Sequence, residues 1–168
     1  FAASLPPRRP LVGLDFGEKT IGVALSDSLL SVATPQETIR RKKFGLDSAR
    51  LLEICTNREV GGLVLGLPRN MDGSEGPRCQ STRAFARNLS RVTELPIGFW
   101  DERLSTVAAE RALLEADTSR AKRAELIDHV AASYILQGAL DRLRHMRESG
   151  DQDRRQQEKG RRWSDPGK

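Results

Sequence analysis

"LVGLDFGEKTIGVALSD" spans residues 11–27, and its reading decides the fold. Apolar and β-branched residues fall into two blocks, Leu11–Phe16 and Thr20–Ser26, separated only by Gly17, Glu18 and Lys19. That spacing predicts two antiparallel strands joined by a tight turn. Side chains alternate along a strand, so Val12, Leu14 and Phe16 share one face while Leu11, Gly13 and Asp15 share the other. Asp15 thus belongs to a face meant to be covered, where an isolated carboxylate is costly unless it is paired or holds a metal. Two readings stand at this point: Asp15 accepts backbone N–H groups at the Gly17 turn, or it is a metal ligand.

Working outward, residues 31–39 predict a third short strand, and residues 46–59 a helix with Asp47 in its first turn. "GGLVLGLP", residues 61–68, is a continuous apolar run bounded by Gly and Pro, the mark of a buried strand. "RNMDGSEGP", residues 69–77, is a loop by composition. Asp72 and Ser74 are expected to cap the helix at 78–92, whose inner face carries Phe85 and Leu89; the alternative is a loop offering N–H groups to a phosphate. "LPIGFW", residues 95–100, predicts a second buried strand, and helix formers dominate 105–115 and 121–146. Three leading strands followed by alternation imply an α/β fold with a mixed five-stranded sheet, antiparallel in its leading strands and parallel in its later ones, with helices on both faces.

The 168 residues suit one domain. We expect a flexible lead over residues 1–10, a folded unit over 11–148, and a charged tail over 149–168 that holds too few apolar residues to offset its ordering entropy. No apolar run approaches the roughly 20 residues of a membrane span, so no membrane partner is expected. The 2 cysteines, Cys55 and Cys79, lack zinc-site or disulfide-framework spacing, which points to a reducing cytoplasm. A net charge of +5 favours phosphate-rich partners.

Two further acids join Asp15. Glu102 follows the second buried strand, at the carboxyl end where open sheets bind ligands. Its neighbour Asp101 would point to the opposite face, so only one of the two can join a given site, and Asp101 is within reach of Arg103 for a surface ion pair. Asp128 lies in the last helix, ahead of Ala131, Ala132 and Ser133, small residues that let a helix settle on Gly13, Gly22 and Ala24; an exposed helical acid is the bland alternative. Together, Asp15, Glu102 and Asp128 make an oxygen cage suited to Mg²⁺ or Mn²⁺ and hence to phosphodiester hydrolysis. The 2 histidines, His129 and His145, make a Ser-His-Asp hydrolase a poor fit. Lys19, Arg69, Arg103, Lys122 and Arg123 are candidate contacts to a nucleic-acid backbone, and a solvated surface role is the alternative for each.

Four stretches, "LDFGEKTIGVALSD", "GLVLGLPRNMDGSEG", "FWDERLSTVAAERAL" and "IDHVAASYILQGALD", resemble in this order the YqgF family, also called RuvX-like, of Holliday junction resolvases and pre-16S rRNA nucleases in the RNase H-like superfamily. The likeness covers Leu11 to Arg144. It implies an RNase H-like sheet and metal-dependent cleavage of structured nucleic acid, either at the 5′ end of the 16S rRNA precursor or in branched DNA. By motif position, Asp15, Glu102 and Asp128 match the family's catalytic acids. Two readings compete. "DFGEKTIGVAL" also looks like the first phosphate motif of actin-type ATPases and sugar kinases, which hold nucleotide between two such domains where this chain has room for one. A non-catalytic RNA-binding assembly factor, monomeric or homodimeric like the enzyme, would retain the fold without cutting.

Overall fold

The computed structural model describes residues 1–104 and 120–163, with side chains described for 1–104 and 129–159. Strands β1 (Leu11–Phe16), β2 (Thr20–Ser26) and β3 (Ala33–Arg40) come first, then α1 (Phe44–Asn57), β4 (Gly62–Leu67), α2 (Pro77–Ser90), β5 (Ile97–Asp101) and the long helix α3 (Arg120–Trp163). The helix expected at 105–115 lies outside the described residues.

The five strands form one sheet in the order β3-β2-β1-β4-β5. β1 pairs antiparallel with β2, which pairs antiparallel with β3, while β4 pairs parallel with β1 and with β5. This is the mixed sheet expected from the sequence. The turn is closed by its own backbone, with Gly17 N–H donating to Thr20 O at 2.9 Å. β3 is the outer strand, and it tolerates Pro35 because an edge strand can spare a ladder N–H.

Each face of the sheet has its own core. Val12, Leu14, Phe16, Leu63 and Leu65 pack with Leu51 and Ile54 of α1 and with Phe85 and Leu89 of α2. On the other face Leu11, Ala24 and Val64 meet Ala131, Ala132, Ile135, Leu136 and Leu140 of α3. The helix approaches closely where strand side chains vanish: a Cβ at Gly13 would lie 2.6 Å from Leu136 Cβ and 2.9 Å from Ala132 O.

α3 also ties down the β2–β3 loop. Gln137 accepts the Ala33 N–H at 2.9 Å and donates to Ser31 O at 3.1 Å. Within the loop, Asp27 Oδ1 accepts the N–H groups of Ser31 and Val32 at 2.7 and 2.9 Å. Those hydrogen bonds, Val32's foremost, hold the Asp27 carboxyl below its ordinary value of 3.8.

In residues 1–10 apolar side chains cover glycines at the end of the sheet: Phe1 lies on Gly98, Leu5 on Gly62 and Pro6 on Gly61. The Arg, Gln, Glu and Lys residues that follow residue 149 are good helix formers, and α3 runs through to Trp163 with residues 144–159 exposed. One local expectation is corrected. Asp72 and Ser74 do not cap α2, whose N-cap is Gly76 with no side-chain cap. Asp72 Oδ1 instead accepts from Ser74 N–H at 2.9 Å, closing a turn inside the loop.

Candidate active site

Asp15 is the last residue but one of β1, and it is only 5% exposed. Opposite it on β2 stands Gly22, and opposite Gly22 on β3 stands Thr38. On its other side the β1–β4 register pairs Leu14 with Leu65, so one step on brings Asp15 beside Gly66. Gly66 in turn pairs with Trp100 of β5. Asp15 therefore sits in a cross-sheet row whose two nearest neighbours are glycines, which leaves the room of two side chains to be filled from outside these strands.

Glu102 fills part of that room. It begins the single 3-10 turn Glu102–Leu104 that follows β5. A Cβ at Gly66 would lie 2.8 Å from Glu102 Oε1 and 2.5 Å from Ile135 Cδ1, so the Glu102 carboxylate and α3 both reach over this glycine. Asp15 and Glu102 thus share the α3 face of the sheet, on either side of Gly66.

Asp101 is committed elsewhere. Arg103 donates to both of its oxygens, with Nη2 to Oδ2 at 2.6 Å and Nε to Oδ1 at 3.1 Å, and Arg69 Nη1 stands 3.8 Å away. The Arg103 hydrogen bonds hold the Asp101 carboxyl below its usual range and push the guanidinium of Arg103 up. Glu102, not Asp101, is the acid that reaches over Gly66 on the α3 face.

The helix over the site is placed by its buried stripe, Ala131, Ala132, Ile135 and Leu136. Half-buried His129 reaches the edge strand, with Nδ1 2.9 Å from Thr38 Oγ1. Asp128 is in the helical backbone, four residues before Ala132 and seven before Ile135, and its side chain lies outside the described residues, as do those of Lys122 and Arg123. Among the described residues no three His, Cys, Asp or Glu side chains gather closely enough to hold a metal ion.

The basic candidates divide. Lys19 is exposed in the β1–β2 turn. Arg69 and Arg103 are bound into an ion-pair cluster: besides Asp101, Arg69 stands 3.9 Å from Glu75 Oε1, which Arg83 Nε contacts at 2.7 Å. Arg69 Nε is buried with no hydrogen-bond partner among the described residues. This cluster pins the β4–α2 loop to the end of β5, a role that sequence spacing did not reveal.

A family model described as "RuvX: Holliday junction resolvase" matches residues 9–142. The chain belongs to the RuvX family. A relative from Ruegeria sp. (strain TM1040), named "Putative pre-16S rRNA nuclease", is 81% identical over 149 residues, covering 89% of this chain and 95% of the relative. A relative of the same name from Roseobacter denitrificans is 72% identical over 155 residues, covering 91% and 95%. Among solved structures, T. thermophilus RuvC in complex with a Holliday junction substrate is 14% identical with a TM-score of 0.48, covering 79% of this chain and 93% of that one. The yeast mitochondrial Holliday junction resolvase is 11% identical with a TM-score of 0.48, covering 90% and 87%.

Gly66 carries no chemistry of its own, and only its position between two acid-bearing strands makes it part of the site. Thr38 gave no signal, since its link to His129 spans 91 residues of sequence.

Proposed function

We propose that this RuvX-family chain is a divalent-metal-dependent endonuclease that cuts phosphodiester bonds in structured nucleic acid, with 5′-end processing of pre-16S rRNA as its principal task in a cytoplasmic setting. The observation that carries this reading is the approach of Asp15 and Glu102 to one glycine-floored space on the α3 face. Relatives above 70% identity bear the matching name.

The donor chemistry fits a metal. Two carboxylates, all oxygen and without a thiol or imidazole between them, suit a hard cation such as Mg²⁺ or Mn²⁺. Asp15, Glu102 and Asp128 would hold it; Asp128 is the third ligand on the strength of its helical spacing from Ala132 and Ile135, which both pack on the sheet. A divalent ion held there would supply Lewis-acid chemistry, the polarisation of a phosphoryl oxygen and the activation of water. The chain's own contribution is to fix the acids: β1 holds Asp15 in the middle of the sheet, and the 3-10 turn after β5 brings Glu102 back over Gly66. Pairing of Asp101 with Arg103 keeps that neighbouring carboxylate from competing for the cation. Lys19 at the turn, with Lys122 and Arg123 ahead of Asp128, would meet the substrate backbone, and Arg69 and Arg103 would do so from the cluster beside Glu102.

The family model's description favours a second reading, resolution of branched DNA, which would require a two-fold dimer to cut paired strands. One assay tests both. Incubation with a 16S precursor and with a four-way junction, in Mg²⁺, in Mn²⁺ and in chelator, is expected to give metal-dependent cuts at the precursor's 5′ end. Cutting of the junction alone would transfer the function to the second reading, and cutting of neither would end the nuclease proposal.

A further inference from the structure

Phe16 follows Asp15 on β1 and points to the other face, where it lines a cavity of about 280 Å³ between α1 and α2. Its ring stacks on Phe85, with centroids 4.3 Å apart and planes at 14°, and Phe44 meets Phe85 edge-on at 5.9 Å. The Arg41 guanidinium lies 4.3 Å from the Phe16 ring centroid. It is fixed there by donating to the carbonyls of Gly17 and Glu18 at 2.8 and 3.0 Å. Polar groups line the same space. The buried Asp47 carboxylate accepts the Lys42 N–H on both oxygens, and the exposed Ser81 and Asn88 enter from α2. An adjoining hollow shares Phe16, Arg41 and Ser81 and extends past the turn to Arg78.

An aliphatic ligand would have no use for the carboxylate, amide and hydroxyl, and a bare anion no use for three phenyl rings. A planar ring with hydrogen-bonding edges and phosphates on either side uses all of them. Unpaired bases are bound in this manner, stacked on aromatic or guanidinium planes and hydrogen-bonded at their edges, with cations along the backbone. We infer that this cavity receives one unpaired nucleobase of the substrate strand, stacked on the exposed guanidinium of Arg41, which the buried Phe16 ring backs from beneath, with Lys42 and Arg78 facing the flanking phosphates. The inference rests on the proposal that the chain acts on nucleic acid, and it adds a preference for substrates with a single-stranded nucleotide near the cut. Asp15 and Phe16 are consecutive on opposite faces of one strand end, so a strand passing around the Gly17–Lys19 turn meets both.

The test uses the full chain in chelator, where nothing is cut. Fluorescence polarisation would compare a labelled single-stranded RNA of about 12 nucleotides, within the usual span of such sites, with a blunt duplex of the same sequence, and would use free mononucleotides as competitors. Arg41→Ala removes the guanidinium, and Ser81→Trp fills the cavity from an exposed helical position. Each is expected to weaken single-strand binding about tenfold, the effect of losing one stacked base, and to leave duplex binding unchanged. Should Arg41→Ala disturb the turn, seen as a changed circular dichroism spectrum, Ser81→Trp alone decides. Unchanged single-strand affinity in Ser81→Trp, or an equal loss on the duplex, overturns the inference. A mononucleotide that binds more tightly than the oligonucleotide also overturns it, making the cavity a free-nucleotide site. Because no cleavage enters this measurement, a chain that cuts neither substrate in metal sinks the nuclease proposal without touching this result.

Discussion

On the side of the sheet covered by α1 and α2, β1 contributes Val12, Leu14 and Phe16, large side chains that interlock with Leu51, Ile54, Phe85 and Leu89. On the α3 side the same strand contributes Leu11, Gly13 and Asp15, and a helix backbone comes down where the side chain is missing. One six-residue strand thus serves two purposes. The first face supplies apolar burial, the dominant favourable contribution to folding. The second gives up side-chain volume at Gly13, Gly22 and Gly66 so that a helix and two carboxylates can converge. The pleat of the strand separates the tightly packed face from the one that carries the carboxylates, and substitutions on the two faces should fail in different ways.

The largest effect is expected from Asp15→Asn on the α3 side. Cleavage should fall by about 10²- to 10³-fold, the scale of deleting one group that stabilises transition-state charge, while the thermal unfolding midpoint stays within a few degrees. Activity near that of the parent in saturating metal would break the contrast outright. On the opposite face, Leu65→Ala empties a fully buried position and should lower unfolding free energy by about 2–5 kcal/mol in urea titration, with kcat retained in whatever fraction remains folded. A loss of kcat larger than the loss of folded protein would mean that the faces are not independent.

Glycine substitutions sharpen the comparison. At Gly13 an added methyl meets Leu136 Cβ and the Ala132 carbonyl, parts of α3 that cannot rotate away, so Gly13→Ala should cost about 1–3 kcal/mol. At Gly66 the added methyl meets the far ends of Ile135 and Glu102, which can move. Gly66→Ala should therefore cost less stability than Gly13→Ala and more activity, since Glu102 is displaced; the reverse order in paired melting and cleavage assays would remove Glu102 from the site. The smallest effect concerns pH. Asp27 titrates below its ordinary 3.8 because the folded loop donates N–H groups to it, so its contribution is present above 3.8 and is lost as the pH falls through the lower folded value. In Asp27→Asn the denaturation midpoint should drop slightly at pH 7 and converge on the parent's below pH 3.8, as followed by urea titration.

Short-range periodicity made much of this legible. The limits of β1 and β2, their turn, and the face shared by Gly13 and Asp15 all follow from alternation between adjacent residues. The mixed sheet followed from the order of elements. Choices made by distant partners were not legible. The pair of Asp101 with Arg103 could be read from their spacing, but not the approach of Arg69 from the β4–α2 loop to the same carboxylate. Asp72 carries the chemistry of a cap, yet it closes its own turn two residues on, and Gly76 is left at the start of α2. Leu5 and Pro6 read as part of a flexible lead until Gly61 and Gly62, at the start of β4, are seen beneath them. The phenyl cluster under Arg41 joins β1, α1 and α2, segments far apart in sequence.

At about 1.5 Å per residue, the 44 residues of α3 span about 66 Å, and among the described residues the last buried side chain along it is Leu143. From Ala131 to that point the helix is held by the sheet beneath it; beyond, through residue 159, the described side chains are exposed, and internal amide bonds with local side-chain pairs resist unwinding. Deuterium should therefore enter α3 from its carboxyl end. Protection would be near the global limit around Leu140 and decline turn by turn toward Trp163, a graded fuse on a domain that otherwise opens as a unit.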